Sequence, residues 1–202
     1  MSMNNFNQIE KYIHKALIEL MQFSTFQSIT VTQLAKQAEI NRKTFYSYYE
    51  SKEHLYCTIM KRIFTDLFSC FMYEKLKPHD ELNVEQLKND IRRFLHKTDC
   101  YKEYLDFLIT EETSYLALMS ADAVIEELGQ KIHIKETLPG LIPKRFYVEI
   151  IRNFFLGMID CWNEGEIRDI EEGVLIMMRI MNQNQLNTFR YIRGTKVEKA
   201  VD

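Results

Sequence analysis

Between Thr30 and Leu55 the chain concentrates side chains suited to meeting a polyanion and reading its pattern. Arg42, Lys43, Thr44, Tyr46, Ser47 and Tyr48 fall within seven residues, with Asn41 before them and Lys52 after. Together they offer cations, hydroxyls and aromatic edges. Phe45 and Tyr49 are interleaved at i, i+4, a spacing that puts both on one helix face. A helix built this way anchors through Phe45 and Tyr49 and turns the polar set outward. Such a face fits the major groove of duplex DNA, where donors and acceptors on base edges distinguish all four base pairs. Lys52 is expected to meet a phosphate with its charge, and backbone N–H groups at helix starts can do the same. Other chemistries lack their parts. There is no nucleophile–base pair and no Gly-rich phosphate loop. His96 and Cys100 stand at i, i+4 but have no third ligand nearby, so they read as plain helix residues. Glu111 and Glu112 could attract a cation, but read more simply as a solvated loop. No cofactor is expected.

Short helices must position this face. Ile9, Tyr12, Ile13, Ala16, Leu17, Leu20 and Met21 recur at helical spacing, predicting a helix from about Gln8 to Phe23, with Asn7 and Glu10 as a capping pair. Ser24 to Ser28 interrupts it. A second helix follows, started by Thr30 or by Val31-Thr32, where a Thr hydroxyl can cap it, with Leu34, Ala35 and Ala38 on one side. Glu39-Ile40 makes the turn. Asn41 caps a third helix, Arg42 to Tyr48, and Ser51 caps a long fourth helix reaching about Tyr73. Two short helices across a tight turn, braced by a preceding helix, form a tri-helical helix-turn-helix.

The run from Thr30 to Leu55 resembles the DNA-binding signature of the TetR family, roughly T-[VI]-x-x-[IL]-A-x-x-A-G-[VI]-[SN]-x-x-T-[LF]-Y-x-[HY]-[FY]-x-[SN]-K-[ED]-x-L. One departure stands out: Glu39 occupies the place where Gly is commonest, which leaves altered turn geometry open there, although not every family member keeps the Gly. The resemblance implies that Thr32, Gln33, Thr44, Tyr46, Tyr48 and Lys52 lie at the DNA surface. Farther on, Phe155-Leu156-Gly157 followed by Trp162-Asn163-Glu164-Gly165 is similar to a segment of a TetR subgroup that includes regulators of dihydroxyacetone kinase operons.

The rest of the chain reads as helices: Val84–His96, Tyr101–Ile109, Ser114–Leu128 ending near Gly129, Lys144–Glu164 terminated by Gly165, and Ile170 to about Leu186. Pro78-His79-Asp80 and the Pro139-Gly140 to Pro143 stretch are breaks. The fold class is therefore all-α, with an N-terminal helix-turn-helix domain at 1–52, a helical bundle for sensing and dimerisation at 53–186, and a polar tail at 187–202. The helices at 144–164 and 170–186 are apolar around more than one core-facing stripe, as a homodimer interface requires. In the family, the last two helices form such an interface. Phe94, Tyr101, Tyr104, Phe107, Tyr115, Met119, Phe154, Phe155 and Met158 could line a ligand pocket or simply fill the core.

Bulk properties agree with a DNA-binding head on an acidic body. Residues 1–62 carry eight Lys/Arg against five Asp/Glu, while the remainder carries eighteen against twenty-four. Cys57, Cys70, Cys100 and Cys161 form no C-x-x-C pair, and no signal peptide or membrane span is apparent, so a cytoplasmic location is expected. The expected role is a repressor, binding an inverted-repeat operator as a dimer and released by a small molecule or a protein effector. The alternative is a TetR-like adaptor or co-activator that acts through a protein partner.

Overall fold

The structure, a computed structural model, describes residues 8–71, 84–131, 137–138 and 142–182. These residues hold α1 (Gln8–Met21), α2 (Val31–Gln37), α3 (Arg42–Tyr48), α4 (Lys52–Phe68), α5 (Val84–Leu108), α6 (Ser114–Lys131), α7 (Lys144–Asn163) and α8 (Ile170–Asn182). A 3-10 turn, Ser69–Phe71, follows α4. The only extended pairing among them is a two-residue antiparallel ladder, β1 (Thr137–Leu138) with β2 (Ile142–Pro143), inside the stretch expected as a loop. The fold is all-α, as expected. Asn7, Tyr73, the break at Pro78, residues 183–186 of the last expected helix and the tail at 187–202 lie outside the described residues.

Helix starts follow local chemistry. Thr30 forms a reciprocal capping box with Gln33: Gln33 N donates to Thr30 Oγ1 at 3.2 Å and Thr30 N to Gln33 Oε1 at 2.8 Å. Asn41 Oδ1 accepts from Thr44 N at 2.8 Å, and Ser51 Oγ from His54 N at 3.1 Å. Asp169 caps α8 by accepting from Glu172 N at 2.9 Å.

Two boundaries differ from the sequence expectation. Val84–His96 and Tyr101–Ile109 are one 25-residue helix. Lys97-Thr98-Asp99-Cys100 contains no breaker, and Thr98 is buried with its hydroxyl donating to Phe94 O of the preceding turn. Helix α6 runs past Gly129 to Lys131, because a single helical Gly weakens a helix by about 1 kcal/mol without ending it. Gly165 does end α7. At φ 76° it places Gly165 N on Trp162 O and Glu166 N on Cys161 O, the paired bonds of a Schellman cap.

The chain forms two compact units, Met1–Phe64 with Tyr101–Ala121, and Thr65–Cys100 with Asp122–Asp202. Neither unit is a single stretch of sequence. The reason is local: most of α4 and the residues around the α5–α6 turn share the core of the first unit. Tyr56, fully buried, donates to Leu108 O at 2.8 Å, and Thr113 Oγ1 donates to the same carbonyl at 2.6 Å. The core of this unit contains Ile13, Leu17, Ile29, Leu34, Phe45, Leu55, Met60 and Phe64.

The second unit packs Leu67, Phe68, Ile91, Phe94, Leu95, Phe155, Ile159 and Met177. The Phe155 ring meets Phe68 at 5.3 Å and Phe94 at 5.2 Å. Gly173 lets α8 approach α5, since a Cβ there would fall 2.6 Å from Leu95 Cδ1. Ion pairs cross between its helices: Lys97 with Asp66, Arg92 with Glu171, and Arg152 with Asp122. Such partly exposed pairs each contribute about 0–1 kcal/mol and fix register more than stability.

Candidate nucleic-acid interface

The tri-helical head is held from inside by the residues expected to anchor it. Phe45 is fully buried and Tyr49, Leu34, Ala35 and Ala38 nearly so. The Phe45 and Tyr49 rings lie 5.8 Å apart. Tyr49 OH and His14 Nε2 share a 2.7 Å hydrogen bond, tying the end of α3 to α1. Burial, reinforced by the Arg62 charge, lowers the His14 pKa from 6.5 to about 4, so this imidazole is neutral at pH 7. Burial also raises the Tyr49 hydroxyl above its ordinary value, so it remains protonated.

The outward face of α3 carries the polar set. Asn41, Arg42, Lys43, Tyr46 and Ser47 are exposed, and Thr44 and Tyr48 are half-buried. Tyr46 leaves 49% of its surface open, with the Arg42 guanidinium 6.0 Å from its ring centroid. That arrangement holds a cation over an aromatic face. Some of this hydrogen-bonding capacity is used within the helix. Asn41 Oδ1 also accepts from Thr44 Oγ1 at 3.1 Å, and Ser47 Oγ donates to Thr44 O at 2.7 Å. On α2, Thr32 and Gln33 are both exposed. Gln33 Oε1 is occupied by the capping box, accepting from Thr30 N and Thr30 Oγ1, so the side-chain amide N–H groups are what Gln33 can present outward.

Glu39 takes φ 55°, the left-handed conformation that a Gly at this place would take. Glu39 N donates to Lys36 O at 3.1 Å and Ile40 N to Ala35 O at 2.9 Å. These are the same paired bonds that Gly165 makes at the end of α7. The turn geometry is therefore that of a Gly-containing cap, and of the two outcomes the departure left open, the unaltered turn is the one found.

Lys52 departs from expectation. Its Nζ donates to Phe26 O at 2.8 Å, Gln27 O at 2.9 Å and Ile29 O at 2.9 Å. An ammonium has three donors and no acceptor. All three are directed into the α1–α2 loop, so in this conformation Lys52 has no donor left for a phosphate. The stretch from Ser24 to Ser28 and the residue after it are a packed element, with Phe26 and Ile29 both buried, and these two apolar side chains are the sequence signal for it.

The nine aromatic and Met residues expected to line a pocket or fill the core are divided between the two units. Phe94, Phe154, Phe155 and Met158 belong to the second unit, where Phe94, Phe155 and Met158 are packed core. Tyr101, Tyr104, Phe107, Tyr115 and Met119 belong to the first. Tyr101 and Tyr104, with His14, Ile18, Ile59, Arg62 and Ile63, border a cavity of about 30 Å³. That space holds about one water, whereas drug-sized ligands occupy roughly 300–1,000 Å³. Tyr115 and Met119 face outward, 69% and 49% exposed. Glu111 and Glu112 are exposed, as a solvated loop requires, and Glu112 Oε2 accepts from Gln27 N at 3.4 Å.

No helix among the described residues is long and apolar enough to cross a membrane. No protein-family model matches the chain. A curated relative, the HTH-type dhaKLM operon transcriptional activator DhaS of Lactococcus lactis subsp. lactis (strain IL1403), is 35% identical over 60 residues. That match takes in 30% of this chain and only 32% of the relative's length. Among solved structures, a TetR-like transcriptional regulator from Rhodococcus sp. RHA1 aligns with TM-score 0.50 and 19% identity, over 84% of this chain and 91% of that one. The TetR family repressor AlkX from Dietzia sp. strain DQ12-45-1b aligns with TM-score 0.53 and 15% identity, over 91% and 96%. With its capped three-helix head and the helices that follow it among the described residues, this chain has the fold of the TetR-family transcription regulators.

Proposed function

We propose that the protein is a sequence-specific DNA-binding transcription regulator that works as a homodimer on an inverted-repeat operator. The observation that carries this is the α3 face: Arg42, Lys43, Tyr46 and Ser47 are exposed over a helix bolted down by Phe45 and Tyr49. Such a helix is rigid on its inner side and chemically varied on its outer side, as base readout requires. Dimerisation is supported by α8, where Leu175 is 67% exposed and Ile180 also stands open beside half-buried Ile176. On α7, a Cβ added at the exposed Gly157 would meet nothing within 4 Å, which leaves room for a partner helix to approach. Genome-wide mapping of bound sites tests the role directly. Discrete peaks sharing an inverted repeat support it, and a profile indistinguishable from a mock sample refutes it.

The direction of control follows from the genes beside those sites: repressor, as the TetR-type fold of AlkX exemplifies, or activator, as the relative's name records. A second role, docking a protein partner, draws on Tyr115 and Met119. They form an exposed apolar pair at i, i+4 on α6. Replacing both with Ser separates the two roles. Loss of regulation in cells with unchanged operator affinity in vitro supports docking, and unchanged regulation removes it.

A further inference from the structure

The Lys52 ammonium stands where three carbonyls of one loop converge, those of Phe26, Gln27 and Ile29. Carbonyl dipoles aimed at one point repel one another, so a cation at that point is what makes the arrangement favourable. The loop has few bonds of its own, Ser28 N to Thr25 O and Ile29 N to Phe26 O among them. The same Nζ lies 4.8 Å from the centroid of the Phe26 ring, within cation–π range. Tyr56, one turn further along α4, packs edge-on against that ring at 5.4 Å and is held by its bond to Leu108 O. Lys52 and Tyr56 therefore grip the loop at one side chain and three carbonyls. The loop ends at Thr30, the residue that caps α2, and Leu34 and Ala38 of α2 are buried in the same unit as the α3 anchors Phe45 and Tyr49.

We propose that Lys52 is a positioning residue for DNA recognition: it clamps the α1–α2 loop, and through Thr30 sets where α2 and α3 stand, without touching phosphate. This rests on the DNA-binding role proposed above. Two variants separate a clamp from a phosphate contact. Arg binds phosphate at least as well as Lys, but a planar fork cannot replace a compact ammonium among three converging carbonyls. Lys52→Arg and Lys52→Met are compared with wild type at a temperature where all three are fully folded.

Two readouts are used. The first is amide hydrogen exchange without DNA. The clamp predicts roughly tenfold or greater loss of protection at Ser28 and Ile29 in both variants, with Leu105 and Leu108 unchanged. The second is affinity for a wild-type-selected duplex as a function of salt. The clamp predicts that both variants bind roughly tenfold or more weakly, with the wild-type slope of log K against log salt. A phosphate contact predicts that Lys52→Arg keeps its affinity and that Lys52→Met loses about 0.9 of slope. That pattern, or loop exchange unchanged in both variants, overturns the proposal. So does wild-type operator affinity in folded variants with a loosened loop, since the clamp is then structural only. A wild-type protein that binds no duplex overturns the DNA-binding role instead, and the exchange readout still decides whether the clamp exists.

Discussion

Replacing Glu39 with Gly should stabilise the protein. Glu39 sits at φ 55°, exposed, in the cap that ends α2. A left-handed conformation costs an L-residue with a Cβ about 1–2 kcal/mol. Gly removes that cost but gives the unfolded chain more freedom, which takes back about 0.4–1 kcal/mol. The difference is a gain of about 0.5–1 kcal/mol, or a rise in Tm of about 1–4 °C for a chain of this size. Both bonds of the cap, Glu39 N to Lys36 O and Ile40 N to Ala35 O, use main-chain atoms and survive the change. Glu39→Ala is the control. It removes the same carboxylate but keeps the strained backbone, so it should leave Tm near wild type. Gly165→Ala runs the other way: at φ 76°, with open space around it, the same balance of backbone strain against unfolded-chain freedom should cost about 0.5–1 kcal/mol. Thermal unfolding followed by far-UV circular dichroism measures all three. A Glu39→Gly protein that melts below wild type, or a Glu39→Ala protein that gains as much as Glu39→Gly, would refute the backbone reasoning.

Stability should fall on acidification through His14. Its folded pKa of about 4 lies below the unfolded value of 6.5, so the unfolded chain takes up more protons between those limits. The contribution is complete above pH 6.5, shrinks as pH falls, and is gone below about pH 4, for a span of up to ~3 kcal/mol. Urea titrations of wild type and His14→Gln between pH 4 and 7 should show a shallower dependence in the variant, and parallel curves would show that His14 does not carry it. Leu175→Glu with Ile180→Glu should yield monomers, because burying one Leu side chain contributes about 1.5–3 kcal/mol and the two-fold symmetry counts each residue twice. Sedimentation at micromolar concentration reads this, and an unchanged dimer would place the interface elsewhere. Arg42→Ala, Lys43→Ala and Tyr46→Phe should each shift the selected DNA motif, with a lost bidentate base contact costing about 1–3 kcal/mol. An unshifted motif in all three would mean that α3 does not read the bases.

What could be read from the sequence follows from the range of the interactions involved. Caps are local: Thr30, Asn41 and Ser51 act on amides three residues away, and α3 spans Arg42–Tyr48 as the spacing predicted. The Phe45 and Tyr49 anchors were legible for the same reason. The continuity of α5 was not, because an apolar gap at Lys97–Cys100 looks like an end when only the stripe is followed, and the buried Thr98 that fills it is polar. The surroundings of the aromatic residues were less legible, for a longer-range reason. Aromatics at helical spacing reveal that a face is apolar but not what it meets, so Phe94 and Tyr115 looked alike while one is core and the other exposed. Lys52 shows the limit most clearly. A lysine at a helix start beside a recognition helix suggests phosphate, and only the fold brings three carbonyls from some twenty-five residues away to its ammonium.

The central claim is that this face of α3, presented twice by a symmetric dimer, reads a duplex sequence. Selection from a random duplex library by the purified wild-type chain tests it most directly. A homodimer reading through α3 should enrich an inverted repeat whose half-site centres lie about 34–36 Å apart, or a multiple of that distance, along the helix axis. Recovery of no enriched sequence, with retention that depends on salt alone, would contradict it.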